Sequence, residues 1–310
     1  MHVFRRPRPG DQAVPNGCVA TIGVFDGVHR GHRRILERVQ AESARLELPS
    51  LVFSFEPTPQ EVMSPLQAPA RLMCLREKFL VLRDAGIDYL YCPPFERSLQ
   101  LLSPGEFVEQ LLVRTLGVRH LVVGDDFRFA RGRAGTMTHL EAGGRQYNFG
   151  AEQVGSVTSG GVRVSSTAIR NALASGDLAR AQQLLGRPYR MVGRVRPGQQ
   201  LGRTLGFPTA NMRLHRRVSP VNGIFAVRVH GVMPGALDGV ASVGTRPTVA
   251  GVEPLLEVHV FDFAGDLYGR QIAVDFVARL RDEVRFDDLE SLRRQMEVDA
   301  VEARRALAAH

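Results

Sequence analysis

At 310 residues the chain is long enough for one large domain or two ordinary ones, and its 44% apolar and 23% charged content are those of a water-soluble folded protein. No apolar run approaches the ~20 residues that cross a bilayer, and the basic start MHVFRRPRPGDQAVPNG has no apolar stretch behind it, so neither a membrane span nor a secretory signal is expected. The net charge of +8 raises a nucleic-acid partner, but the arginines that carry it are scattered along the chain rather than massed in a stripe, which suits phosphorylated small molecules equally well.

From residue 17 to about 185, strand-like and helix-like segments alternate. CVATIGVF, SLVFSF, YLYC and HLVVG are short runs of branched and aromatic residues that read as strands. HRRILERVQAESARL, CLREKFLVLRDAG and SPGEFVEQLLVRTLG read as helices. The last starts at a capping box of Ser103 and Glu106, with Pro104 at the first helical position. Such alternation predicts a Rossmann-like α/β domain with a parallel sheet covered on both faces.

The pattern changes at Gly186-Arg187-Pro188. YRMVGRV, IFAVRVHG, DGVASVG, LLEVHVFDF and QIAVDF follow with no helix between them, which predicts a small antiparallel β-barrel. A C-terminal helix closes the chain in FDDLESLRRQMEVDAVEARRALAA. Asp287 and Glu290 are its expected capping box, and Leu289, Leu292, Met296, Ala300, Ala303 and Leu307 its apolar stripe. The domains are therefore expected over 1–185 and 186–310.

The string Gly23-Val24-Phe25-Asp26-Gly27-Val28-His29-Arg30-Gly31-His32 leaves a strand and enters a helix. A helix start offers unpaired backbone N–H groups and the positive dipole end to an anion. Gly23, Gly27 and Gly31 allow backbone to approach it, and His29 and His32 can donate hydrogen bonds to phosphoryl oxygens. Histidines so spaced also suit half of a zinc site, but no third and fourth ligand stands at a suitable spacing. Downstream, Ser166 and Thr167 stand at a helix start, flanked by Arg163 and Arg170; hydroxyls, a helix N-terminus and guanidinium groups make a second phosphate element. Lys78, the only lysine, stands in MCLREKFLVL away from any glycine, so any use of ATP proceeds without a P-loop.

The first string resembles the HxGH nucleotidyltransferases, and GVFDGVH is similar to the prokaryotic FAD synthetase module. VSSTAIR resembles the superfamily's second signature, and VVGDDFRFARGRAG, with Asp126, resembles the family's nucleotide-site segment between them. The resemblance implies that His29 and His32 hold and neutralise ATP phosphates during adenylyl transfer. It also implies a nucleotide site of Gly23, Phe25, Asp26, Gly27, Gly31, Asp126, Arg163, Ser166, Thr167 and Arg170. Two residues depart from the family pattern: Thr58 in FEPTP stands for a histidine, and Ala130 for a glycine.

In the second half, VGRVRPGQQLGRTLGFPTANM is similar to the riboflavin kinase signature, including the loop that ends at Gly202 and Arg203. Pro208 disfavours a helix, so Thr209 and Asn211 lie on an extended segment and project to one face. A hydroxyl and an amide oxygen side by side are hard ligands suited to Mg²⁺ with ATP phosphates. Glu257, in LLEVHVFDF, aligns with the family's catalytic glutamate, which would take the proton of the ribityl hydroxyl.

The resemblance covers nearly the whole chain and implies a bifunctional riboflavin kinase/FAD synthetase (FMN adenylyltransferase). Such an enzyme is cytoplasmic and Mg²⁺-dependent, uses ATP as co-substrate, and has riboflavin, FMN and FAD as substrates and products. Cys18, Cys74 and Cys92 form no CxxC pair, in keeping with a reducing compartment and with no structural disulfide or zinc. Two other readings stay open: a kinase whose adenylyltransferase half is weakened at Thr58 and Ala130, and an arginine-rich nucleic-acid-binding protein. Nothing in the sequence decides the oligomeric state, and a homo-oligomer is compatible with it.

Overall fold

The computed structural model describes residues 1–6, 13–198, 201–248 and 251–310. The chain forms two units, one of Met1–Pro69 with Lys78–Val164 and one of Ala70–Glu77 with Ser165–His310.

The first unit is built on six parallel strands: β1 (His2–Phe4), β2 (Cys18–Ile22), β3 (Ser50–Phe53), β4 (Tyr89–Tyr91), β5 (Val118–Gly124) and β6 (Gly150–Val154), in the order β1-β4-β3-β2-β5-β6. The four expected strands are β2 to β5; the edges β1 and β6 were not read, one being three residues long and the other polar (GAEQV). All five residues of β2 are buried, as befits a central parallel strand. Alternation divides them. Cys18, Ala20 and Ile22 join one apolar cluster with Phe53, Leu121 and Leu140, whereas Val19 faces Val39 and Val122 on the other side. Val39 belongs to α1 (Arg30–Leu46), which packs on β2 and β5. Each such fully buried side chain contributes about 1.5–3 kcal/mol.

The remaining helices of this half are α2 (Pro59–Met63), α3 (Leu75–Asp84), α4 (Arg97–Leu101), α5 (Pro104–Glu106) and α6 (Met137–Tyr147). The division between the units falls within α3. The Ser103–Glu106 capping box forms as expected at α5, but the chain continues from Phe107 to Thr115 as a π-helix. The pair β7 (Thr158–Ser159) and β8 (Val162–Arg163) turns through Gly160 and Gly161, both at positive φ, as a tight hairpin requires.

Two helices, α7 (Ser166–Ala174) and α8 (Leu178–Leu185), open the main part of the second unit. Six antiparallel strands follow: β9 (Tyr189–Arg194), β10 (Ala210–Arg213), β11 (Gly223–His230), β12 (Ala236–Thr248), β13 (Gly251–Val260) and β14 (Gln271–Arg281). Their order is β10-β13-β12-β11-β14-β9, and a bridge between Arg196 and Asn211 brings the two ends together into a nearly closed barrel. Phe225, Val227, Val243, Val258, Val274 and Phe276 are buried within this unit. A single turn, α9 (Leu201–Thr204), carries Gly202 and Arg203; Gln199 and Gln200 of the same signature lie outside the described residues.

The last helix, α10 (Leu289–Ala308), corrects one expectation. Its cap is Asp288, not Asp287: Asp288 stays extended and its carboxylate accepts the Ser291 backbone N–H at 2.7 Å. The helix therefore starts one residue later, and Glu290 takes no part in a capping box. The expected stripe also divides. Ala303 and Leu307 pack with Ala226 and Phe261, Leu292 and Met296 line a cavity, and Leu289 is 55% exposed.

Candidate functional site

In the first unit, the chain leaves β2 for β3 and β4 on one side and returns to β5 on the other. The C-terminal ends of β2 and β5 therefore flank the switch point, where open α/β sheets bind ligands. The two quoted strings, GVFDGVHRGH and GDDFRFARG, follow those two ends.

The turn after β2 carries positive φ at Phe25, Gly27 and Val28, while Phe25 and Val28 are buried. Backbone that changes hand in this way forms anion-holding concavities. His29 caps α1, its Nδ1 accepting the His32 backbone N–H at 3.3 Å. That bond leaves the proton of a neutral His29 on Nε2. The two imidazoles stack at 3.7 Å between centroids, and Phe25 lies 4.8 Å from His32. Burial, together with the charges of His29 and Lys78, holds His32 well below the usual histidine range, so it is neutral at pH 7. Its Nδ1 is buried with no hydrogen-bond partner among the described residues. A Cβ on Gly31 would sit 3.2 Å from the His29 ring, a tight contact from which the ring would have to shift slightly.

The hairpin after β6 delivers Arg163, which pairs with Asp126 at 2.8 Å and Asp125 at 3.2 Å. Hydrogen bonds from Ser156, more than the arginine, lower the Asp125 pKa. Thus two predicted residues, Asp126 and Arg163, are brought together. The Val164 carbonyl lies 3.7 Å from the Cβ position of Gly31, at the end of the first unit. Ser166 and Thr167 follow as the first residues of α7 in the second unit, behind the cap Ser165. Arg170 donates from Nε to the Ala70 carbonyl at 2.6 Å. Of the two departures, Thr58 caps α2 in a capping box with Glu61, and Ala130 sits at φ 64°, ψ −174°, a conformation natural to glycine. Lys78, the lysine that stands away from any glycine, is buried and donates to the Val24 carbonyl at 2.7 Å and to Ser54 Oγ at 2.9 Å.

In the second unit, antiparallel pairing sets Asn211 opposite Glu257, and Ser242 opposite Glu257 on its other side. The Asn211 amide nitrogen lies 3.3 Å from Thr209 Oγ1, while its Oδ1 is buried with no partner among the described residues. A Cβ on Gly198 would meet that amide at 2.6 Å. An orphaned amide oxygen beside a hydroxyl, next to a carboxylate, is a donor set that fits Mg²⁺. Thr209 and Glu257 border a cavity of about 540 Å³, whose lining also includes Gly202, Phe286, Leu292 and Met296. A lining that mixes apolar side chains with oxygens suits an amphipathic ligand. Unread in the sequence were His259, which donates from Nδ1 to the Pro208 carbonyl at 2.9 Å, and Glu283, which accepts from Ser242 Oγ at 2.8 Å. Arg281 pairs with buried Asp299 through two 2.7 Å bonds. Each pairing joins residues 18 to 51 positions apart, so no local pattern announces it.

The family described as FAD synthetase matches residues 11–168, and that described as riboflavin kinase matches residues 185–307. The chain is 50% identical over 304 residues to the bifunctional riboflavin kinase/FMN adenylyltransferase of Escherichia coli K12, covering 98% of this chain and 97% of that protein. It is 49% identical to the protein of the same name from Pseudomonas fluorescens, over 94% of each chain. A crystal structure from Streptococcus pneumoniae, described as a macrolide-efflux protein, superposes with a TM-score of 0.80 at 28% identity, covering 96% of this chain and 97% of that one. Among the described residues no helix is long and apolar enough to cross a membrane.

Proposed function

The chain belongs to the bifunctional riboflavin kinase/FMN adenylyltransferase family, and from that premise we propose that it phosphorylates riboflavin to FMN and adenylylates FMN to FAD, using ATP in both steps. We assign the adenylyltransferase to 1–185 and the kinase to 186–310. The observation that carries the reading is that one chain holds two unlike sites, a stacked imidazole pair at a helix start and an Asn211–Glu257 cross-strand pair beside Thr209.

The chemistry of each site suits its reaction. In the kinase half the nucleophile is a neutral ribityl hydroxyl. Glu257 accepts its proton as the oxygen attacks the γ-phosphorus of ATP, and ADP leaves. Thr209 Oγ1 and Asn211 Oδ1 would hold Mg²⁺, which when bound neutralises charge on the nucleotide phosphates. Gly202 and Arg203 are assigned to the same nucleotide and flavin site. His259 acts indirectly, by holding the Pro208 carbonyl and with it the Thr209 segment.

In the adenylyltransferase half the nucleophile, an oxygen of the FMN phosphate, is already anionic. It attacks the α-phosphorus of ATP and displaces pyrophosphate, with no base required. The work left for the protein is to hold and neutralise phosphates. His29 and His32 are assigned to that task. Gly23, Phe25, Asp26, Gly27 and Gly31 shape the turn, and Asp126, Arg163, Ser166, Thr167 and Arg170 complete the nucleotide site. Nucleotides and flavins are thus the partners. The location proposed with this activity is the cytoplasm.

Purified protein given riboflavin, Mg²⁺ and ATP, with flavins separated by HPLC, tests the proposal: FMN appears first and FAD after it. FMN that accumulates without FAD leaves only the kinase standing.

A further inference from the structure

The lone lysine has no role in the reactions as assigned above. Lys78 is 2% exposed, and its ammonium donates to the Val24 carbonyl and to Ser54 Oγ. Ser54 Oγ donates to the same carbonyl at 3.0 Å. Val24 begins the turn whose next residues, Phe25, Gly27 and Val28, hold positive φ, and which ends at His29. The lysine and the serine therefore clamp the root of that turn to the end of β3.

The clamp is cationic, although a second hydroxyl or an amide could make the same hydrogen bonds. Placing an ammonium in a protein interior costs far more lost hydration than placing a neutral donor there. Its charge reaches the imidazoles: Lys78 is one of the groups that keep His32 neutral. A positive charge behind a turn of mixed hand, at a helix start and beside two imidazoles, adds to a field that favours a polyanion.

We propose that Lys78 is a positioning residue for adenylyl transfer: its ammonium clamps the β2–α1 turn through Val24 and adds the fixed charge that holds the polyphosphate of the nucleotide and the departing pyrophosphate. The proposal rests on the adenylyltransferase reading. Lys78 touches neither substrate; it acts through the turn and through His32.

Because the chain has a single lysine, full-length protein made with lysine labelled at 15Nζ gives one side-chain signal. Titration with Mg²⁺-pyrophosphate is expected to move that signal saturably, whereas a lysine that serves only to pack the fold would not respond. Lys78→Gln keeps a hydrogen-bond donor and removes the charge. Its kcat for FAD formation is expected to fall on the order of 10²-fold. Inhibition by pyrophosphate should weaken about tenfold, the size of one unit charge acting across about 10 Å at an effective dielectric near 20. Riboflavin phosphorylation by the same preparation reports that the chain is folded. An Nζ signal unmoved by saturating Mg²⁺-pyrophosphate, or a Lys78→Gln enzyme inhibited by pyrophosphate as strongly as wild type, overturns the proposal. If Lys78→Gln does not fold, the wild-type titration decides alone. Wild-type protein that makes no FAD refutes the adenylyltransferase reading instead, and the two failures are thereby told apart.

Discussion

Within the second unit, Glu77 and Arg216 form an ion pair whose side chains are 3% and 0% exposed. Burial works against the guanidinium charge, but Glu77, through its charge and its hydrogen bond, together with Tyr189 and Cys74 outweighs it and raises the Arg216 pKa. Glu77 accepts on both oxygens: Oε2 takes the Cys74 N–H at 2.7 Å and an Arg216 N–H, and Oε1 takes the Val192 N–H at 2.8 Å. In Glu77→Gln, whichever way the amide turns, its NH₂ faces a donor. The substitution also leaves Arg216 charged, in a place where its Nε and Nη1 already have no hydrogen-bond partner among the described residues. Breaking a buried pair from one side costs about 3–5 kcal/mol. For a unit of this size that lowers Tm by about 6–20 °C. Thermal unfolding followed by circular dichroism, with riboflavin phosphorylation measured after heating, reads the loss. Glu77→Gln combined with Arg216→Met should recover much of it, because neither position of the pair then carries a charge. A Glu77→Gln protein within about 1 kcal/mol of wild type would refute the reasoning.

The site assignments predict a split: His29→Ala and His32→Ala should abolish FAD formation from FMN while sparing FMN formation, and Glu257→Gln should do the reverse when FMN is supplied; equal damage to both reactions by any one change would contradict separate sites. Ala130→Gly should raise Tm, because relief of about 1–3 kcal/mol of backbone strain exceeds the roughly 0.5–1 kcal/mol entropic cost of glycine; a lower Tm would show that Ala130 is unstrained. Because the His32 pKa is depressed in the folded state, the unfolded chain binds the extra proton below about pH 6.5, so stability falls as pH drops through that value. The difference in Tm between wild type and His32→Asn should therefore change with pH below about 6.5 and stay constant above it.

Much of both halves is legible in the chain. The strands β2 to β5 and the start of α1 declare themselves through short-range patterns: branched runs, glycines at the turn, and histidines at a helix entry. The HxGH string and the PTAN string could be read because both phosphate elements depend on neighbours a few residues apart. Other features are silent in sequence because distant residues create them. β6 is polar and becomes a strand only when it pairs with β5. Asp288 rather than Asp287 caps α10, since Asp288 stays extended with its carboxylate on the Ser291 N–H.

By itself, then, the sequence determined the kinds of element, their order and the two residue sets with phosphate chemistry, since each follows from periodicity or from groups close along the backbone. Only the tertiary structure decided which distant groups meet. It set Glu257 opposite Asn211 through strand register, drew 70–77 into the second unit around Glu77 and Arg216, and buried Lys78 beneath the turn that leads to His29. Register and burial are settled by the packing of whole strands and helices, and a window of a few residues holds no record of that packing.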